Sequence, residues 1–235
     1  MNKTYKDYTR MNFKKTALNL TLLAAIATSG MANAGSQFTV KVDGMIVPAS
    51  CDIGNGSGST TVQLGKLSAD KLNTDSETML PVKKMQLRID CPSATAVAIQ
   101  PTDVAEKAGQ VSYLGMKMVD IFSLGATSDG AVIGGYIVKL DTNSTNVDQL
   151  GVSSFLSAPV GSNVWSTFDN SAHIVSGTGQ NMYSWTRGSK GNAPAMGKVH
   201  TIGLEFTPFI SPASTLKTSE NIDIKGEATY DLVYL

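Results

Sequence analysis

The sequence predicts an all-β fold, a sandwich or barrel of short strands. Segments in which apolar and polar residues alternate with a period of two recur along the chain, and that period places one face of a strand on a core. Clusters of Gly, Ser, Asn, Asp and Pro separate them, as in GNGSGST at 54–60 and ATSDGA at 126–131; such clusters supply turns. Helical periodicity is scarce, and GKLSADKLNTD at 65–75 offers one apolar i, i+5 pair and little else. There is no internal repeat.

The first residues have the pattern expected of a leader. Lys3, Lys6, Arg10, Lys14 and Lys15 precede the apolar run ALNLTLLAAIATSGMA at 17–32, and Ala32-Asn33-Ala34 has the small-x-small form of a cleavage site. The run is too short and interrupted to span a bilayer comfortably, so residues 1–34 read as a signal peptide removed after Ala34, with an uncleaved anchor as the alternative. Met11, just before NFKKTALNL, is an alternative start.

The expected strands follow in order. QFTVKV (37–42) and TTVQL (60–64) alternate. KKMQLRIDC (83–91) puts Met85, Leu87, Ile89 and Cys91 on one face. AVAIQ (96–100), VIGGYIVKL (132–140), HTIGLEF (200–206) and NIDIKGEATYDLVYL (221–235) continue the pattern. At the terminus Tyr230, Leu232 and Tyr234 share one face, and Thr229, Asp231 and Val233 the other. A strand here needs partners for its N–H and C=O groups. The stretch 103–198 is less regular and rich in Gly, Ser and Asn. It holds Tyr113, Phe122, Tyr136, Phe155, Trp165, Phe168, Tyr183 and Trp185. Core packing is the expected role of these aromatics; an exposed receptor-binding platform is the alternative.

Composition bounds the function. The leader carries five of the 19 basic residues and one of the 19 acidic ones, so the remaining 201 residues hold 14 against 18, a net charge near −4. That balance argues against a nucleic-acid binder, which needs a basic face, and suits a soluble exported domain. A length near 200 fits one all-β domain or two small ones. Cys51 and Cys91 are the only cysteines, and an even pair in an exported chain reads as one disulfide.

No catalytic constellation emerges. His173 and His200 lack metal-ligand spacing, and DNSAH (169–173) is a run rather than a spatial triad, with no Gly-x-Ser-x-Gly elbow in the chain. Asp120, Asp129, Asp141 and Asp148 read as turn formers, and TSDGA lacks a calcium-loop ladder. The expectation is a protein that is not an enzyme and binds no cofactor or metal.

Three patterns together resemble chaperone–usher fimbrial (pilin) subunits. VDGMIVPASC (42–51) is similar to the start of a pilin domain. LPVKKMQLRIDC (80–91) resembles the strand whose cysteine closes the family's disulfide. GEATYDLVYL (226–235) is similar to the family's C-terminal motif, with its penultimate tyrosine at Tyr234. VIGGYIVKL and LGKLSADKLNTDSETMLPVKKMQL further resemble a fimbrial-like branch that carries a domain of unknown function.

The resemblance implies an immunoglobulin-like sandwich that lacks its last strand. The pilin-like sandwich would span residues 44–235, with its elaboration in 103–198. Cys51 and Cys91 would pin the first strand to a core strand. Tyr230, Leu232, Tyr234 and Leu235 would form the edge that accepts a strand from a neighbour. Residues 35–43 would be the extension that donates one, through Phe38, Val40 and Val42; residues 37–42 could instead be the first strand of their own sandwich. The implied partners are a periplasmic chaperone, an outer-membrane usher and neighbouring subunits, on a route through the periplasm to a surface fimbria. The alternative is a minor or tip adhesin that binds a host glycan or receptor, with Trp165 and Trp185 as candidate contacts.

Overall fold

The computed structural model describes residues 38–45, 50–54, 58–113, 118–168, 178–188 and 192–235. The expected leader, residues 35–37 of the expected extension, and His173 lie outside them. The chain divides into two units, Met1–Ile46 and Val47–Leu235. In the first, residues 38–45 belong to no strand. Phe38, Val40 and Val42 there are 89%, 69% and 91% exposed.

The second unit is all-β. Among the described residues its strands are β1 (Asp52–Ile53), β2 (Thr78–Met79), β3 (Lys83–Asp103), β4 (Phe122–Ser123), β5 (Gly134–Val147), β6 (Leu150–Gly151), β7 (Ser154–Pro159), β8 (Ser166–Phe168), β9 (Asn181–Thr186), β10 (Met196–Ile210) and β11 (Ala228–Tyr234). Single 3-10 turns occur at Ala69–Lys71, Met118–Asp120 and Ala213–Thr215. The first of these is all the helix that residues 65–75 form.

One strand organises the fold. The alternations at 83–91 and 96–100 are not two strands but parts of β3, which runs through Pro92 and serves two sheets. Its first half pairs with β10 on one side and β1 on the other. β10 continues to β5 and β5 to β4, while β2 and β6 add short pairings to β10 and β5. The second half of β3 pairs with β11 on one side and β9 on the other, and β9 leads to β7 and β8. Every pairing is antiparallel. β3 keeps one face inward throughout: Leu87, Ile89, Cys91, Val97 and Ile99 are buried in one cluster.

That cluster joins the sheets into a sandwich. Val138 and Leu140 of β5 and Ile202, Leu204 and Phe206 of β10 meet Phe155 of β7 and Tyr183 and Trp185 of β9. Burial of each such side chain contributes about 1.5–3 kcal/mol. The aromatics of the middle region therefore serve mainly as core. Two smaller clusters lie apart. Ala98, Ala158 and Met182 pack with Trp165 and Val233; Val111, Ile121 and Phe209 pack with Tyr113 and Val132.

Within this unit, two expected strand segments are not laddered. Residues 60–64 and 221–227 have no strand pairing. Their alternation survives as burial: Val62, Leu64, Ile222 and Ile224 are half-buried against the main cluster, and Thr61, Gln63, Asp223 and Lys225 are exposed. The period of two reports which side chains touch a core; it does not supply a neighbouring strand to bond with.

Candidate functional site

The C-terminal strand is an edge. All seven residues of β11 pair with β3, from Ala228↔Asp103 to Tyr234↔Val97, and β11 pairs with no other strand among the described residues. The direction of its backbone groups follows from the flanking bonds. Leu235 N donates to Ala96 O at 3.1 Å, and Val104 N donates to Glu227 O at 3.1 Å. In a strand the N–H and C=O of one residue point the same way, and successive residues point to opposite sides. Thr229, Asp231 and Val233 therefore bond to β3. The backbone groups of Ala228, Tyr230, Leu232 and Tyr234 face the open side.

The same even-numbered residues carry the inward side chains. Ala228, Tyr230 and Leu232 are half-buried against the main cluster, while Thr229 and Asp231 are exposed. Tyr234 and Leu235 are 48% and 45% exposed. Val233 points the other way, onto the outer cluster with Ala98. Upstream, Gly226 keeps the inward parity of Ile222 and Ile224. A β-carbon there would lie 2.9 Å from Ser123 O and 3.0 Å from Leu124 Cδ2, so the chain passes against β4 only because Gly226 has no side chain. Lys225 N donates to Leu124 O at 3.0 Å at this crossing.

The core beneath β11 contains a polar pair under burial. The Tyr230 hydroxyl is buried without a hydrogen-bond partner among the described residues, and burial raises its pKa well above the usual phenol value. An unpaired buried group of this kind costs about 1–3 kcal/mol. Burial also raises the pKa of Tyr136, with Tyr230 and Asp103 adding to it. Asp103 accepts from Ser123 N at 2.8 Å and Ala105 N at 3.1 Å; its own burial raises its pKa, opposed by those two bonds.

The two ends of the sandwich meet at the disulfide. Cys51 and Cys91 are bonded, with an S–S distance of 2.07 Å and Cα atoms 4.1 Å apart. Tyr234 Oη accepts from Cys51 N at 2.7 Å. The cystine thus holds the chain just before β1 to β3, and the penultimate tyrosine ties β11 to the same point. The sequence pairs Cys51 with Cys91, as found, but places Tyr234 in a separate motif and does not reveal its bond to Cys51 N. Ile222 and Ile224 belong to the expected alternation at 221–235 but are not among the expected edge residues, and they extend the half-buried apolar face of β11.

Other predicted residues fall elsewhere. Trp185 has no exposed surface, and its indole donates to His200; a core position removes it as a receptor contact. Trp165 is half-buried on the outer cluster. His200 is buried, with its ring nitrogens engaged by Trp185 and two backbone carbonyls rather than a hydroxyl. A polar cleft of about 380 Å³ on the first sheet is lined by Gln86, Arg88, Asn146, Asp148, Gln149, Val199 and Thr201, which include no serine, cysteine or histidine. Among the described residues no group of three or more His, Cys, Asp or Glu is placed to hold a metal.

A family described as a protein of unknown function (DUF1120) matches residues 40–137. The uncharacterized protein YhcF of Escherichia coli (strain K12) is 25% identical over 244 residues, which cover 91% of this chain and 98% of that protein. Among solved structures, a chain of a chaperone–usher pilus is similar at 14% identity and a TM-score of 0.34, covering 86% of this chain and 97% of that one. The P pilus rod subunit PapA is similar at 15% identity and a TM-score of 0.33, covering 85% and 100%.

Proposed function

We propose that this chain is a structural, non-enzymatic subunit of a chaperone–usher surface fimbria, and that a strand from another chain completes its sandwich along β11. The observation that carries the reading is the open side of β11. There, backbone groups without a strand partner among the described residues and half-buried core side chains belong to the same residues, Ala228, Tyr230 and Leu232. An added strand would bond the first and cover the second, which is β-strand addition.

Two further observations support it. The disulfide and Tyr234 brace the accepting end, so the edge is held in place before a partner arrives. Phe38, Val40 and Val42 are exposed and lie in no strand, and their alternation in sequence is the pattern a donated strand would need. In this account a periplasmic chaperone lends a strand during export, and a neighbouring subunit supplies it in the fibre.

The test is co-expression of the mature chain with and without its cognate chaperone. The proposal expects soluble chain only, or mainly, as a complex with the chaperone. Deleting residues 228–235 should abolish that capture while export continues. Equal soluble, monomeric yield in both arms would overturn it.

A further inference from the structure

We propose that Trp185 and His200 form an acid-sensitive latch between the two sheets, one that opens the β9–β10 end of the sandwich when the imidazole takes a second proton. The latch is independent of how β11 is used.

His200 lies on β10 in the first sheet, and Trp185 on β9 in the second. Both side chains have no exposed surface. Trp185 Nε1 donates to His200 Nδ1 at 3.0 Å. His200 Nε2 stands 3.1 Å from both Thr95 O and Gly197 O. Indole N–H can only donate and carbonyls can only accept. These partners admit one tautomer: Nε2 carries the proton and Nδ1 is the acceptor. A proton added to Nδ1 would point at the indole N–H, two donors facing each other, and the cross-sheet bond would be lost in a site with no exposed surface.

The local backbone is built around the ring. β10 breaks its register with β3 between Gly197 and Val199. The Asp148 carboxylate accepts the freed Lys198 and Val199 N–H groups at 3.0 and 2.9 Å. A β-carbon at Gly197 would lie 2.1 Å from Val147 Cγ1, so the bulge packs directly on β5. The charges facing His200 are Asp148, from the turn after β5, and Arg187, just past β9. Asp148 favours the imidazolium and Arg187 opposes it. Burial outweighs both and, with the carbonyl bonds opposing it, lowers the His200 pKa from 6.5.

The sign follows. An opened state takes up the proton at about pH 6.5, before the closed state does. The latch therefore contributes fully above that pH and is lost as pH falls towards the lower, closed-state value, by up to about ten-fold in the opening equilibrium per pH unit.

The experiment is hydrogen exchange of the Trp185 indole N–H, followed by NMR on the folded protein from pH 7.5 to 5 and corrected for intrinsic exchange. The expected result is an opening equilibrium that rises several-fold per pH unit below about pH 6.5 in the wild type and stays flat in His200→Gln, whose amide can accept from the indole without titrating. The same slope in both proteins overturns the proposal. Should His200→Gln fail to fold, a wild-type His200 ring that titrates at or above its ordinary value, with the Trp185 indole resonance unmoved, overturns it equally.

Discussion

Gly226 opens the terminal motif GEATYDLVYL, and its contacts explain why a side chain is excluded there. The chain must cross Ser123 and Leu124 at 2.9–3.0 Å from where a β-carbon would stand before it can join β3. Gly226→Ala should therefore push the start of β11 off its path and lower stability by about 1–3 kcal/mol, the usual cost of overpacking, as read from urea unfolding. Gly151→Ala, at a position with nothing within 4 Å of the added carbon, should leave the midpoint nearly unchanged. The sequence shows that a glycine begins the motif but not what it avoids, because Ser123 lies about a hundred residues away in the chain. Trp185 teaches the same lesson in the other direction. A tryptophan in a Gly/Ser-rich stretch can face a receptor or a core, and here the side chains of other strands, β5, β7 and β10, enclose it in the core.

At the scale of elements, the ends of the sandwich were the most legible parts. The alternation at 83–91 and 221–235 and the single cysteine pair point to strands where parts of β3 and β11 form, and to the disulfide, which is present. What the pattern could not distinguish was touching the core from being hydrogen-bonded beside it. Val62 and Leu64, like Ile222 and Ile224, keep a period of two without a ladder. Nor could it show that β3 carries through Pro92 as one strand between two sheets. The disulfide closes a sequence separation of 40 residues, so removing it should release chain entropy worth roughly 3–4 kcal/mol in the unfolded state. The double variant Cys51→Ser, Cys91→Ser should show that loss in its urea midpoint. It should also loosen Tyr234, whose hydroxyl leans on the Cys51 N–H. A double variant as stable as the oxidised protein would mean that the β1–β3 pairing alone fixes this end.

For the whole molecule, the account rests on a sandwich with one side unfinished. Its most direct test is site-resolved amide exchange along β11 in an isolated chain that starts at Gly35, with and without an excess of a peptide of sequence GSQFTVKVDGM, residues 35–45. The bond pattern makes the prediction specific. Alone, Thr229, Asp231 and Val233 should be protected through β3, while Tyr230, Leu232 and Tyr234 exchange quickly. With the peptide bound, those three even-numbered amides should become protected as well. Protection of both sets in the isolated chain, unchanged by the peptide, would contradict the account, because the edge would already be closed.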